Sequence, residues 1–228
     1  MRTERRKLMT AGDLLPAGYQ RLEYIQNTST AYIDTGVDGG HFNKTYVKFM
    51  MVQIVPKWST IWGCRHNNTI ERGLHIYETT RKFWVNHYNK DVTSNIDAAV
   101  DVLYEADYNN GIYTINGQTE SFAPTAAFTN NYSCFIFALH DNNAISDSIE
   151  WKRFARMKCY SFKMWQDDTM VRDFVPCKRR SDNVYGMYDK VEGKFYTSAS
   201  SVAFTGGVKF RTILTAFLEP AMAERGAA

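Results

Sequence analysis

The chain reads as an all-β protein, a sandwich or a barrel. Three observations point there. Short runs of alternating apolar and polar residues, broken by turn signals at roughly 8- to 12-residue spacing, are the pattern of a sandwich or barrel. Aromatic residues make up 14% of the 228 residues, with 14 Tyr and 14 Phe, and such rings pack well on pleated surfaces. Nowhere do strands alternate with long helical periods, as a parallel α/β sheet requires.

The elements follow in order. Residues 2–12 read as a short helix or an extended arm, because Glu4, Arg5, Arg6 and Lys7 suit a helix that Gly12 would end. Pro16 and Gly18 mark a turn. Strands are predicted over 21–26, 31–35, 45–55, 60–64, 74–79 and 82–87. Further strands are predicted over 99–108, 111–116, 133–140, 156–165, 169–176, 185–189 and 194–197. Hairpin turns fall at 78–81, at Asn109-Asn110-Gly111, at Asn116-Gly117, at 166–168 and at 190–193. Within 160–165, Tyr160, Phe162 and Met164 are expected on one face, and Ser161, Lys163 and Trp165 on the other. Residues 125–131 and 141–148 read as loops, and 213–225 as a C-terminal helix interrupted by Pro220. The expected organisation is an N-terminal arm over 1–15, a sandwich over 16–207 and a helical tail over 208–228.

Composition excludes some functions. The net charge is +3, from 27 basic and 24 acidic residues, too balanced for a nucleic-acid footprint. The basic runs 2–7 and 178–180 read as a solvated end and a solvated turn. The N-terminus lacks the apolar stretch of a signal peptide, and no run approaches a membrane span. The expectation is therefore synthesis in a cytoplasm without classical export or membrane insertion. Cys64, Cys134, Cys159 and Cys177 form no CxxC pair, which argues against a zinc ribbon or thioredoxin-like site. They read as reduced thiols, with two disulfides the alternative for an extracellular protein.

No complete catalytic set emerges. Curved-sandwich glycosidases place carboxylates at alternate positions of one strand, so that two share a face. Glu105 and Asp107 have that spacing, but the third carboxylate is missing. Cys64 lies two residues from His66, a spacing that arises often by chance. There is no G-x-S-x-G elbow, and the glycines at 36, 39 and 40 do not match a phosphate-binding loop. Asp141-Asn142-Asn143 and Asp167-Asp168 read as turn formers before calcium ligands. Neither a catalytic residue, a cofactor nor a metal is expected.

Aromatic and amide side chains suggest a binding surface. Sugars stack a C–H face on a ring and hydrogen-bond to Asn, Asp, His and Arg. Trp84, Asn86 and Tyr88 share one face of a predicted strand, and Trp62 with Arg65, His66 and Asn67 forms a second group. The candidate ligand-binding residues are Trp62, His66, Trp84, Asn86 and Tyr88. Core packing is the competing role for Trp62 and Trp84.

Two segments carry a family resemblance. The first is Leu22-Glu23-Tyr24-Ile25 with Thr30-Ala31-Tyr32-Ile33-Asp34-Thr35-Gly36. The second is Arg172-Asp173-Phe174-Val175-Pro176-Cys177, then Gly186-Met187-Tyr188-Asp189 and Gly193-Lys194-Phe195-Tyr196, closing with Phe204 and Gly206. Together they resemble the concanavalin A-like (LamG-like) jelly-roll domain of phage and prophage structural proteins. The resemblance implies two antiparallel sheets face to face, with the first and last strands close together. It implies turn or close-approach roles for Gly36 and Gly186, capping by Asp34 and Asp189, and sheet packing by Tyr32, Tyr188 and Phe195. It brings no catalytic residues. The expected function is a non-enzymatic virion protein, a head-decorating, fibre or tail-associated module, binding other virion proteins through its terminal segments. Homo-oligomerisation and recognition of a host-surface glycan are further expectations. The alternatives are a carbohydrate-binding module outside a virion and, more remotely, a glycoside hydrolase or lyase.

Overall fold

A computed structural model of the protein describes residues 15–67, 70–121, 131–141 and 153–208. The N-terminal arm up to residue 14, the loops expected within 125–131 and 141–148 for the most part, and the C-terminal helix lie outside the described residues. The strands in chain order are β1 (Tyr19–Arg21), β2 (Tyr24–Gln26), β3 (Ile33–Asp38), β4 (Lys44–Gln53), β5 (Trp58–Asn67) and β6 (Ile70–Tyr77). Next come β7 (Lys82–Tyr88), β8 (Lys90–Asp97), β9 (Leu103–Asn109), β10 (Ile112–Ile115), β11 (Gln118–Ser121) and β12 (Ser133–Ile136). The last are β13 (Leu139–Asp141), β14 (Arg156–Gln166), β15 (Thr169–Arg179), β16 (Tyr185–Asp189), β17 (Lys194–Tyr196) and β18 (Thr205–Gly207). A single 3-10 turn, Gly39–His41, is the one helical element among the described residues.

These strands form two sheets. The first has eleven strands and runs β11-β10-β9-β4-β14-β15-β16-β17, with β1 on β15 and β18 on β2, which itself pairs with β14. The second has seven and runs β3-β12-β5-β6-β7-β8, with β13 also on β5. Pairing is antiparallel except where β13 lies parallel to β5.

Alternation sets the core. In β4, Thr45, Val47, Phe49 and Met51 are buried while Lys44, Tyr46, Lys48 and Met50 are half-exposed. In β7, Phe83, Val85 and His87 are buried while Trp84, Asn86 and Tyr88 are half-buried. The inner faces meet through rings: Phe49 lies 6.2 Å from Phe83, Tyr104 5.0 Å from Phe83, and Trp62 5.8 Å from Tyr108. One contiguous cluster of buried side chains spans both sheets.

Turn chemistry follows the sequence closely. Asn110 and Gly111 have φ of 44° and 89°, and Asn116 and Gly117 have 47° and 82°. Both dipeptides therefore take the left-handed pair that a tight hairpin needs. Asp34 accepts the amide of Gly36 at 2.9 Å, and Asp189 accepts those of Asp173 and Val191 at 2.8 and 3.1 Å. At Gly186 a Cβ would stand 2.1 Å from the Tyr196 carbonyl oxygen, so β16 and β17 close only over a glycine.

Three expectations change. The predicted strand 133–140 is broken, because Phe137 has φ 73° and the chain turns there into β13. The alternation expected over 160–165 holds only from Ser161 onward. Cys159 pairs with Phe49 and Ser161 with Lys48, so Tyr160 is the extra residue of a β-bulge. It packs outward against Tyr24, 5.6 Å away, instead of sharing the core face of Phe162 and Met164. β8, β11 and β18 are strands where none was expected.

Candidate functional site

The outer face of the seven-stranded sheet carries an unusual set of side chains. Trp58 pairs with Tyr77, Thr60 with His75, Gly63 with Gly73 and Arg65 with Glu71 across β5 and β6. Trp84 stands opposite His75 and Asn86 opposite Gly73 on β7. The facing glycines leave space that larger residues fill. A Cβ on Gly73 would lie 2.5 Å from His75 Nε2, and one on Gly63 would lie 3.0 Å from Leu139. The imidazole therefore occupies the space a side chain at residue 73 would take.

A buried charge cluster sits there. His75 Nε2 lies 2.7 Å from Glu71 Oε1, and Glu71 is also 3.4 Å from Arg65 Nε and 3.7 Å from Arg153. Arg65 reaches Asp141 at 3.2 Å. On its other side His75 Nδ1 is 2.8 Å from the Thr60 hydroxyl. Burial alone would raise the Glu71 carboxyl, but His75, Arg153 and Arg65 outweigh it and hold Glu71 below the usual range. Burial, reinforced by Arg153 and Arg65, lowers His75 despite the opposing pull of Glu71. The pair is thus a carboxylate beside a neutral imidazole. A proton on Nε2 facing Glu71, with the Thr60 hydroxyl donating to Nδ1, satisfies both contacts.

The cluster supports a pocket. Arg153 bridges the two: its guanidinium touches Glu71 on one side and lies over the Trp58 ring, 5.0 Å from the centroid, on the other. The pocket encloses about 350 Å³ and is lined by Ser29, Thr30, Val55, Pro56, Lys57, Trp58, Arg153, Phe154 and Arg156. Trp58 is braced from behind by Tyr77 at 4.6 Å and Trp84 at 5.4 Å. A second depression of about 480 Å³, near Gly36, His41 and Arg172, is more open. Its Arg172 already donates to the Thr35 and Val171 carbonyls and lies 3.6 Å from Asp189 and 3.4 Å from Glu192. Of these two, the Trp58 pocket is the one that combines an aromatic wall with several polar donors.

The sequence-predicted binding residues scatter. Trp62 is 1% exposed and points into the core against Phe42, Tyr108 and Phe162, so it offers no surface to a ligand. His66 is exposed and lies 6.2 Å from the Tyr132 ring. Trp84 is half-buried on the outer face and touches Trp58 without lining the pocket. The Asn86 carbonyl accepts the Tyr113 hydroxyl at 2.8 Å. Tyr88 has φ 58° and packs against the core margin. Sequence reasoning missed Trp58, Arg153 and Arg156. The signal for Trp58 was its place after Pro56-Lys57 at the mouth of a strand.

Glu105 and Asp107 lie on the outer face of the other sheet. Glu105 is half-exposed and paired with Lys48, whose hydrogen bond holds its carboxyl low. Burial raises the Asp107 carboxyl. All four cysteines are buried free thiols. Burial and the neighbouring Cys64 push Cys134 well above its ordinary value, and burial pushes Cys159 and Cys177 up to about 12, which leaves these thiols unreactive. Among the described residues no group of three metal-ligating side chains converges, and no helix is long and apolar enough to cross a membrane. No known protein family matches the chain, and no curated protein does.

Proposed function

We propose that this chain is a non-enzymatic structural module of a phage or prophage virion, a jelly-roll sandwich of the concanavalin A-like kind that displays a glycan-binding pocket. The observation that carries the reading is the pairing of β2, from the first resembling segment, with β18 at the end of the second, while β3 of the first segment lies in the other sheet. β2 takes β18 on one side and β14 on the other, while β1 lies on β15. The body is thereby closed on itself, with residues 1–14 and 209–228 left to attach it to neighbouring virion proteins or to further copies of itself. The Trp58 pocket supports the binding half of the reading, since a ring beside hydroxyl and guanidinium donors suits a sugar. A glycoside hydrolase would set two carboxyl groups about 5–10 Å apart in a cleft. The described residues lining the Trp58 pocket include no carboxylate.

The test is a mass-spectrometric inventory of purified particles from a culture that expresses the gene. Peptides of this chain in stoichiometric amounts are expected. Their absence from particles, with the protein left in the lysate, overturns the virion assignment and favours a free-standing carbohydrate-binding module.

A further inference from the structure

We infer that the Trp58 pocket selects an acidic sugar, one that carries a carboxylate or sulfate on an otherwise stackable ring. The inference rests on the reading of this pocket as a glycan site and adds the ligand's charge class.

The lining divides into two kinds of surface. Val55, Pro56, Trp58 and Phe154 supply an apolar wall, with the indole held in place by Tyr77 and Trp84. Lys57, Arg153 and Arg156 supply cations, and Ser29 and Thr30 add hydroxyls. A neutral sugar presents donors and acceptors in similar number. It is best met by a mixed set that includes carboxylates or amide oxygens. The side chains that line this pocket are rich in donors, and no carboxylate stands among the described ones.

The charge state of each cation sharpens the argument. Arg153 is held from behind by Glu71, which fixes its position over the ring and partly offsets its charge. Arg156 donates to the Gln53 side-chain oxygen at 2.6 Å, a neutral partner that orients the guanidinium without cancelling its charge. Lys57 takes the left-handed conformation, φ 64°, and its backbone amide bonds Glu78 at 3.3 Å. Neither Lys57 nor Arg156 makes an ion pair among the described residues. Two such cations, one of them on a residue whose backbone amide donates to the Glu78 carboxylate, therefore share one small pocket with an indole face. A guanidinium binds carboxylate and sulfate oxygens in a planar, two-pronged way that an uncharged hydroxyl cannot match. A volume of about 350 Å³ stands at the lower end of small-molecule sites and has room for one or two sugar rings.

The full chain should be titrated by tryptophan fluorescence and calorimetry with a uronic-acid oligosaccharide, sialyllactose, a sulfated lactose and neutral lactose. At least one acidic sugar is expected to bind ten-fold or more tightly than lactose, and to weaken as salt rises. The carboxylate and sulfate arms show which anion the site prefers. Lys57→Gln and Arg156→Gln should each cost about ten-fold in affinity for the acidic sugar, with melting temperatures close to wild type. Lys163→Gln, on the outer face of the other sheet, should change nothing. Equal binding of lactose and the acidic sugars overturns the charge assignment but leaves a glycan site. Binding of no sugar overturns the glycan reading itself. Acidic-sugar binding that survives both pocket substitutions overturns the location.

Discussion

At the scale of single residues, the interior of this sandwich is more polar than its composition suggests. Arg72 lies between the sheets, donates to the Gly39 and Phe42 carbonyls, and stacks on the Phe42 and Tyr108 rings. His87 is 3% exposed and sits 2.7 Å from the Tyr108 hydroxyl. Burial, with Arg72 adding to it, lowers His87 from 6.5 to about 4. The sign of the consequence is fixed. The unfolded chain takes up a proton on His87 below pH 6.5, whereas the folded chain refuses it until about pH 4. This contribution to stability is complete above 6.5 and declines as the pH falls, by up to about 1.4 kcal/mol per unit. His75, also lowered by burial, acts in the same direction. On unfolding, His87 alone should take up about half a proton at pH 6.5 and nearly one at pH 5, with His75 adding to it, and urea titrations of His87→Gln should lack the His87 share. An unchanged slope in the variant would refute the assignment. These roles were illegible in the sequence, where five histidines looked alike. A histidine's titration depends on what surrounds it, and Arg72 reaches His87 only through strand register.

At the scale of elements, the legible parts are those whose signal is local. Asn-Gly turns, and the aspartates that cap the separate turns at Gly36 and Val191, act within a few residues, so the hairpins and the Gly186 approach are readable one segment at a time. β8 and β11 escape notice because edge strands are kept polar to discourage further pairing, and Gln118-Thr119-Glu120-Ser121 has no apolar alternation. The break between β12 and β13 escapes because a phenylalanine, and no glycine, takes the left-handed turn at residue 137. The pocket was illegible for a related reason: Trp58 and Arg153 come from distant segments. The last strand gives a test of whether the closing segment belongs to the body. Phe204, just before β18, is 2% exposed and lies 4.9 Å from the ring of Phe137, at the break between β12 and β13 of the other sheet. Phe204→Ala should therefore destabilise the whole protein by about 3–5 kcal/mol, read as a shift in the urea midpoint. A cost below about 1 kcal/mol would mean that β18 is an appendage and that the closed scaffold is misdrawn.

At the scale of the whole molecule, the two sheets are tied by more than apolar contact. Tyr113 on β10 of the larger sheet is 1% exposed, and its hydroxyl donates to the Gly73 and Asn86 carbonyls of the smaller one at 3.1 and 2.8 Å. Phe49, Phe83, Tyr104, Trp62 and Tyr108 interlock between the same layers. Neither layer can separate without exposing this cluster and stranding buried polar groups, so the sheets must unfold together. Tryptophan fluorescence offers a local view, because Trp58, Trp62 and Trp84 lie on the smaller sheet and Trp165 on the larger. In a Trp151→Phe, Trp165→Phe variant, fluorescence comes from Trp58, Trp62 and Trp84 and reports the smaller sheet, while far-UV circular dichroism reports both. The two urea transitions should coincide. Adding Tyr113→Phe removes the one O–H shared between the Gly73 and Asn86 carbonyls, at a cost of about 1–3 kcal/mol. If the sheets form one cooperative unit, that cost moves both transitions by the same amount and keeps them superimposed. If the smaller sheet is an independent layer, fluorescence shifts away from circular dichroism. The pocket would then sit on a unit able to open by itself.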